Sequence, residues 1–268
     1  MRSVFCIVVA LAILAGAGLA QFRRSPRAGN VWAQYEREMQ DPIDDPPDAR
    51  VPGDFELGRL RYRSPMDGRF YSRWGIDANK GDRIFINLLQ RLTRIQAQSI
   101  ETIVDVDDDV MFNHPFLVAI SVGDWRLSPA HAQRLRKYFD RGGFLMVDDF
   151  HNPQEWAIFM EGMHLVDPGM HAEELELGDP AFHVVYDLGK SIRVPGANVV
   201  HGSQVERGGV EPHWRAIRDR KGRMVVAISF NQDMGDGWEF ADEAEYPEKY
   251  SSQAIRLGID YAVYAMTH

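Results

Sequence analysis

Residues 142–156 read GGFLMVDDFHNPQEW, and this stretch decides the class of fold. Four apolar residues, 144–147, form the short run that is typical of a strand covered on both faces of its sheet. A helix is predicted to follow, because Asn152 is a good N-cap, Pro153 suits the first helical position and Glu155 suits the third. A buried strand followed at once by a helix is the repeating unit of a parallel α/β sheet.

The same unit occurs just upstream of this stretch. The apolar run 116–120 predicts a second buried strand. It is followed by a helix for which Ser128 is the expected N-cap, Pro129 the first residue and Gly142 the stop signal. Further upstream, strands are predicted over residues 55–62 and 102–106, with a helix over 82–95.

The end of the chain departs from this alternation. Residues 214–219 and 224–230 flank a turn at 220–222 and predict an antiparallel hairpin. Residues 251–266 predict a closing helix. Its expected caps are Ser251 or Ser252, and its expected buried face is Ile255, Ile259, Ala262, Val263 and Met266. The predicted fold class is therefore α/β, a doubly wound and mostly parallel sheet with a C-terminal antiparallel hairpin addition.

The N-terminal segment MRSVFCIVVALAILAGAGLA has the features of a secretory signal. One positive charge at Arg2 precedes an apolar core, and small residues stand at positions 18 and 20. The alternative is an uncleaved membrane anchor over residues 4–19, although this run is shorter than the roughly 20 residues of a spanning helix. The protein is predicted to be exported to the periplasm or cell envelope, with residues 1–20 removed as a signal peptide.

Composition narrows the chemistry of the remaining chain. The single cysteine, Cys6, lies in the signal segment, so a mature chain has no disulfide, thiolate metal site or cysteine nucleophile. The net charge of −9 argues against nucleic acid, and against a membrane partner except through an uncleaved N-terminal segment. Clustered Pro and Asp over residues 21–53 indicate a linker, and residues 54–268 are long enough for a single α/β domain.

The acidic pair Asp148 and Asp149, together with His151, is the first candidate site. These residues are predicted to lie in a tight loop at the carboxyl end of a parallel strand, where open α/β sheets bind ligands. Side chains alternate along a strand, so the two carboxylates converge only if the strand has ended; otherwise one of them binds loop amides or the neighbouring helix start. A structural role, a ligand contact and a metal site with His151 as an additional ligand all stay open.

A second candidate is the loop Gly123, Asp124 and Trp125, which follows the strand over 116–121 and can reach the same edge; a simple turn into the next helix is the alternative. The chain has no G-x-S-x-G, H-E-x-x-H, P-loop or Rossmann glycine pattern. The well-marked hydrolase, protease and nucleotide-binding classes are therefore unsupported, and the sequence requires no cofactor.

A third candidate is the loop NQDMGDGWE, residues 231–239, with Asn231, Asp233 and Trp238 as ligand candidates. Its acidic residues and glycines suggest a calcium loop. The positions of Gly and Asp depart from the EF-hand pattern, however, and Asp242 stands where that pattern has Glu. The alternative is a glycine-rich turn that exposes Trp238.

Four segments of the domain resemble the bacterial family known as domain of unknown function 4159: FNHPFLVAISVGDWRLSPAHAQRLR, RLRKYFDRGGFLMVDDF, GDPAFHVVYDL and YPEKYSSQAIRLGIDYAVYAM. The resemblance implies a class I glutamine amidotransferase-like fold, which is a flavodoxin-like three-layer sandwich with helices on both faces. It also implies an exported setting and an envelope protein partner, either of the von Willebrand A type or associated with a MoxR-type ATPase. It implies no established activity.

One departure from the wider fold group bears on function. Amidotransferases use a cysteine on a strand-to-helix elbow with a histidine base, and a mature chain here has no cysteine. Asp148 and Asp149 occupy the acidic pair of the family. Two hypotheses follow: a non-catalytic binding or assembly module of the cell envelope, or a hydrolase in which Asp148 or Asp149 acts as general base or holds a metal ion.

Overall fold

The computed structural model describes residues 27–65, 67–68, 71–188 and 193–268. Its strands are β1 Gly58–Arg61, β2 Thr102–Asp105, β3 Phe116–Ile120, β4 Phe144–Phe150, β5 Ala172–Glu174, β6 His213–Arg218 and β7 Met224–Phe230. Its α-helices are α1 Lys80–Leu92, α2 Pro129–Asp140, α3 Asn152–Val166, α4 Ala197–Val200, α5 Met234–Glu239 and α6 Glu248–Thr267. Short 3-10 turns lie at Ala33–Tyr35, Arg73–Gly75, Asp109–Asn113, Val122–Asp124 and Pro180–Phe182.

The seven described strands form one sheet in the order β2-β1-β3-β4-β7-β6-β5. The five strands from β2 to β7 in this order pair in parallel, whereas β6 pairs antiparallel with both β7 and β5. The predicted mostly parallel sheet and the predicted C-terminal hairpin are thus confirmed. The strand order reverses between β1 and β3, and open α/β sheets bind ligands beside such a switch point.

Helices cover both faces of the sheet. Phe116 and Val118 of β3 belong to the core beneath α1, α5 and α6, whereas Leu117 and Ala119 belong to the core beneath α2 and α3. Because side chains alternate along a strand, a continuous apolar run such as β3 supplies both cores at once. The three-layer sandwich is confirmed.

The helix ends follow local sequence rules in α2 but only partly in α6. The Ser128 hydroxyl accepts the backbone N–H of His131 at 3.1 Å, as predicted for the cap of α2. Helix α6 begins at Glu248, before the predicted caps, and the Ser251 hydroxyl donates to the Glu248 carbonyl inside the helix. Met266 is 42% exposed, so the prediction that it is buried is wrong: it lies at the end of the last turn.

Residues 27–53 pack against the domain through polar contacts and through Met39, which is buried in one of the two cores. The Trp32 indole N–H donates to the Glu101 carbonyl at 2.8 Å, and the Arg83 guanidinium binds the Asp45 carboxylate at 2.7 Å. The Arg83 side chain is almost fully buried. The Pro- and Asp-rich composition of residues 21–53 predicted a linker. In the structure, oxygen atoms of this segment nevertheless accept hydrogen bonds from the Arg83 side chain of α1.

The predicted signal segment, residues 1–20, lies outside the described residues, so its cleavage stays a prediction. Across the residues that the structure does describe, no helix has the length and apolar character needed to cross a bilayer.

Candidate functional site

Asp148 and Asp149 lie within β4, because this strand continues to Phe150. The predicted loop beginning at Asp148 is therefore wrong. Pairing with β7 shifts between Val147 and Phe150, where β4 has one residue more than its partner. Asp149 takes up this bulge with a left-handed φ of 51°. Both aspartates are buried, and the bulge sends their side chains to different partners.

Asp149 is the centre of the polar contacts at this edge. Its Oδ2 accepts the Ser121 hydroxyl at 2.7 Å, and its Oδ1 lies 3.0 Å from a guanidinium nitrogen of Arg207 and 3.1 Å from His151 Nε2. Burial opposes ionisation, but Arg207, His151 and Ser121 outweigh it and hold the pKa of Asp149 well below its usual range. Asp149 is consequently the charged member of the pair.

Asp148 has the opposite character. Its Oδ2 accepts the backbone N–H of Gly235 at 2.8 Å, in the first turn of α5, while its buried Oδ1 has no hydrogen-bond partner among the described residues. Burial raises the pKa of Asp148 to about 7, and the charge of Asp149 adds to this, against the opposing effect of the amides of Met234 and Gly235. The expected bond to a neighbouring helix start is present, and Asp148 titrates near neutrality.

His151 contacts a second carboxylate, Glu206. Its Nε2 lies 3.8 Å from Glu206 Oε2, a buried oxygen for which the described part of the chain offers no hydrogen-bond partner. Asp149, His151 and Glu206 each offer a ligand atom within 4.8 Å of the others, and they are named here the histidine group. Of the predicted metal ligands, Asp149 and His151 come together, whereas Asp148 is not part of the group.

Arg207 covers the histidine group from a loop after α4. Its guanidinium binds Asp149 and also lies 3.2 Å from the Glu155 carboxylate in the first turn of α3. Burial lowers its pKa, but Asp149, Glu155 and Glu206 outweigh this and raise it above the usual value. Only 26% of the Arg207 side chain is exposed, so it both offsets the charge of the neighbouring carboxylates and covers them from solvent.

Asp77, Asp236 and Glu239 form a second set, named here the three-carboxylate group. Asp77 stands before α1 with a left-handed φ of 59°, and the other two lie on α5. One ligand oxygen from each lies within 4.8 Å of the others. Burial and neighbouring charges raise the pKa of Asp77, and burial is the main reason that the pKa of Glu239 rises to about 7.

The two groups share one electrostatic environment. The charge of Asp149 raises the pKa of Asp77, Glu206 and Asp236. Burial remains the largest cause in each case. The whole set is called the acid cluster and comprises Asp77, Asp148, Asp149, Glu206, Asp233, Asp236 and Glu239. Carboxyl groups outnumber the cations that contact them, so the cluster holds either protons or an added positive charge.

The predicted site residues of the loop after β3 lie beside the acid cluster. Gly123 packs against Glu155, since an added Cβ would lie 2.3 Å from the Glu155 Cβ. Asp124 pairs with Arg73 at 2.5 Å. Trp125 is buried in the core. These residues support the start of α3 and the sheet edge, and in the described part of the chain no hydrogen bond or ion pair joins them to Asp149.

The predicted site residues of the 231–239 segment have three different positions. Asn231 accepts the backbone N–H of Asn152 at 3.0 Å and so ties the end of β7 to α3. Asp233 caps α5 and belongs to the acid cluster. Trp238 is fully buried, so the predicted turn that exposes it is wrong: α5 turns this side chain into the core.

Four members of the site were not predicted from the sequence, and only one of them, Ser121, has a local sequence signal. Ser121 directly follows a buried strand, and the rule that predicted Asp148 and Asp149 applies to it equally. Glu206 and Arg207 lie in an irregular loop, and Asp77 lies in a turn. These three reach the site through contacts between segments distant in the chain, which spacing cannot reveal.

An open cleft of about 560 Å³ lies at the opposite edge of the sheet. It is lined partly by Glu56 and His114, whose carboxylate and imidazole nitrogen are 3.8 Å apart, and by Met266. It holds far fewer ionisable groups than the carboxyl edge. Among the described residues, the acid cluster therefore holds more ionisable groups than this cleft does.

Fold and site together define a class: an α/β protein with an enclosed carboxyl-rich site at the carboxyl edge of a parallel sheet. The family model described as a domain of unknown function, DUF4159, matches residues 56–266. This is more than half of the chain, which therefore belongs to that family, as the resemblance predicted. No curated protein matches the chain. An amidotransferase-like fold group stays a prediction.

Proposed function

We propose that the chain is an exported cell-envelope protein whose domain is a non-catalytic binding or assembly module, with the acid cluster as its binding site. The supporting observation is the order of Ser121, Asp149 and His151. In a Ser-His-Asp arrangement the imidazole lies between hydroxyl and carboxylate and takes the hydroxyl proton. Here the carboxylate lies between the other two. Ser121 thus has no histidine base, and the low pKa of Asp149 makes it a poor one.

The charge balance supports binding of a positively charged group. Ionised carboxylates in a protein interior are costly unless a cation or several hydrogen-bond donors compensate them. Arg207 meets this need for Asp149. Asp148 Oδ1 and Asp77 Oδ2 are buried, and no described residue gives either of them such a partner. A metal ion, an ammonium group or a guanidinium group would replace the protons that these carboxyl groups otherwise hold.

Export and partner rest on other features. The N-terminal segment supports export, and the family resemblance supports an envelope partner of the von Willebrand A type or one associated with a MoxR-type ATPase. Fractionation of cells that produce the full chain, followed by N-terminal sequencing, tests the first point. We expect an envelope or periplasmic protein that begins at Gln21. A cytoplasmic protein that retains residues 1–20 would contradict it.

Turnover assays test the absence of catalysis. The full chain is incubated with ester, glycoside and phosphate substrates, with and without added divalent metals, beside the Asp149→Asn variant. We expect equal background rates for the two proteins, and a higher melting temperature of the wild type with a cationic ligand or the purified envelope partner. Turnover that disappears in Asp149→Asn would exclude a non-catalytic module.

A hydrolase is the second candidate, and one observation favours it. Asp148 has a pKa of about 7, which suits a general acid or base, and the neighbouring histidine group offers ligands for a metal that activates water. This mechanism requires turnover with Zn²⁺ or Mn²⁺ that is lost in both Asp148→Asn and His151→Ala. Rates that are unchanged in folded forms of both variants would eliminate it.

A further inference from the structure

We infer that Asp77, Asp236 and Glu239 bind one hard divalent cation, of the kind represented by Ca²⁺, between the start of α1 and the short helix α5. The inference rests on the proposed binding role of this edge and names its ligand. It differs from the EF-hand pattern that the 231–239 segment failed to match, because its first ligand comes from a distant turn.

The three-carboxylate group has the geometry of a single-ion site. One oxygen from each residue lies within 4.8 Å of the other two. Two ligands on opposite sides of a Ca²⁺ ion are about 4.6–5.2 Å apart, given metal–oxygen distances of 2.3–2.6 Å. An ion centred among three such atoms is within about 2.8 Å of each, so a shift of a few tenths of an ångström brings all three into bonding range. Carboxylate oxygens select hard cations, and Glu239 is only partly buried, so water can complete the coordination.

Asp77 brings to this group a buried oxygen that lies against α5. Asp77 is 3% exposed, and its Oδ2 has no hydrogen-bond partner among the described residues. The same oxygen lies against Gly235, where an added Cβ would be only 2.0 Å away. Glycine at this position thus allows the carboxylate to approach α5. A buried acceptor in this state is costly, and a cation satisfies it.

The nearby cations of the protein are already engaged elsewhere. Arg59, which faces Asp77, binds both oxygens of Asp82 at 3.0 and 2.6 Å. Lys80, which faces Glu239, pairs with Glu243 at 2.8 Å. Acidic neighbours, Asp41 and Glu243, add further negative charge around Glu239. A bound divalent cation would offset this charge and release protons from the group.

The histidine group is a different kind of site. His151 supplies a nitrogen ligand there, and imidazole suits transition metals such as zinc. Arg207 also lies 3.0 Å from the Asp149 oxygen that a metal would use. For a hard cation, the three-carboxylate group is therefore the better site, because its ligands are all oxygen atoms and, among the described residues, no guanidinium forms an ion pair with it.

Mn²⁺ is the probe for the first test, because free Mn²⁺ gives an electron paramagnetic resonance signal that is lost on binding. The full chain is stripped with a chelator and titrated with Mn²⁺ at neutral pH. We expect one bound ion per chain, displaced by Ca²⁺. Glu239→Gln should weaken binding by about tenfold or more, since one of three charged ligands is lost.

Matched variants separate this site from its surroundings. Asp242→Asn removes an exposed acid just after α5 that is not a ligand and leaves the Lys80–Glu243 pair in place, so it should change Mn²⁺ affinity by less than about threefold. Circular dichroism melts establish that Glu239→Gln and Asp242→Asn are folded. Asp77→Asn repeats the test from the other segment of the site.

The outcomes distinguish the inference from the proposed function. A wild-type chain that binds no Mn²⁺, Ca²⁺ or Mg²⁺ at millimolar concentration overturns the cation site, while binding of an amine, a guanidinium group or a partner can still support the module. Binding that survives Glu239→Gln but is lost in Glu206→Gln or His151→Ala places the ion in the histidine group. That result also overturns the assignment and leaves the binding role intact.

Discussion

Arg207 and Asp149 form the ion pair that closes the carboxyl edge of the sheet, with 3.0 Å between a guanidinium nitrogen and Oδ1. The two residues are 58 positions apart in the chain, and Arg207 also binds Glu155 at 3.2 Å. The loop after α4 is thereby held against the bulge of β4 and the start of α3. Arg207 is thus the cation that this loop supplies to the buried carboxylate of Asp149.

Replacement of Arg207 by Met should destabilise the protein markedly. The substitution keeps an apolar stem but leaves Asp149 and Glu155 without their cation, so we expect the free energy of unfolding to fall by roughly 2–3 kcal/mol. Urea denaturation at pH 7 measures this. Arg136→Met, which removes a half-exposed guanidinium, is the control and should cost less than about 1 kcal/mol. Equal losses of unfolding free energy in the two variants would show that the Arg207–Asp149 pair contributes no more to stability than an exposed ion pair.

The Asp148→Asn variant should reveal the raised pKa of this carboxyl. A buried acid whose folded-state pKa exceeds its unfolded value stabilises the protonated native state, so stability is present at low pH and is lost as pH rises toward about 7. The stability of the wild type relative to Asp148→Asn should therefore fall by up to about 1.4 kcal/mol per pH unit between pH 4 and 7. Melting curves of both proteins at several pH values measure the difference. A constant difference would contradict the raised pKa.

Two substitutions at Ser121 should separate its hydrogen bond from its backbone conformation. Ser121→Ala removes the 2.7 Å bond to Asp149 and keeps a Cβ at a φ of 54°, so we expect a loss of about 1.5–3 kcal/mol. Ser121→Gly removes the same bond but relieves the left-handed conformation, so it should be less destabilising by about 1 kcal/mol. Chemical denaturation compares the two. An alanine variant at least as stable as the glycine variant would refute this account.

Gly235→Ala tests the close approach of Asp77 to α5. Alanine is normally favoured over glycine in a helix, yet here its Cβ would lie 2.0 Å from Asp77 Oδ2. We expect a loss of about 1–3 kcal/mol from the forced displacement. Gly178→Ala is the control, because no atom lies within 4 Å of its added Cβ and its stability should change by less than about 0.5 kcal/mol. An unchanged melting temperature for Gly235→Ala would show that the Asp77 side chain moves aside at no cost in stability.

Much of the scaffold was predictable because its signals are local. Strand β3 coincides with the apolar run at 116–120, and α2 begins where Ser128 and Pro129 predicted. Short apolar runs that alternate with capped helices leave few arrangements other than a parallel sheet. The same reasoning placed Asp149 and His151 at the carboxyl edge, because this edge follows from the order of strand and helix.

The details at that edge depended on tertiary structure. The bulge at Asp149 arises from pairing of β4 with β7, and without it the strand was expected to end at Val147. Trp238 was expected at the surface, but the α5 helix buries it against Phe85. Neither effect is visible in a window of neighbouring residues, because each is decided by a partner strand or helix from another part of the chain.

The sequence by itself determined that this protein has a mostly parallel α/β sheet and that acidic residues stand at its carboxyl edge, since apolar spacing and helix caps act over a few residues. Only the tertiary structure brought Arg207 and Glu206 to Asp149, and Asp77 to Glu239. Such contacts join segments that are far apart in the chain, so no periodic pattern of the sequence predicts them. They form because a buried charge is costly unless it is paired, and the folded chain brings the partner from a distant segment.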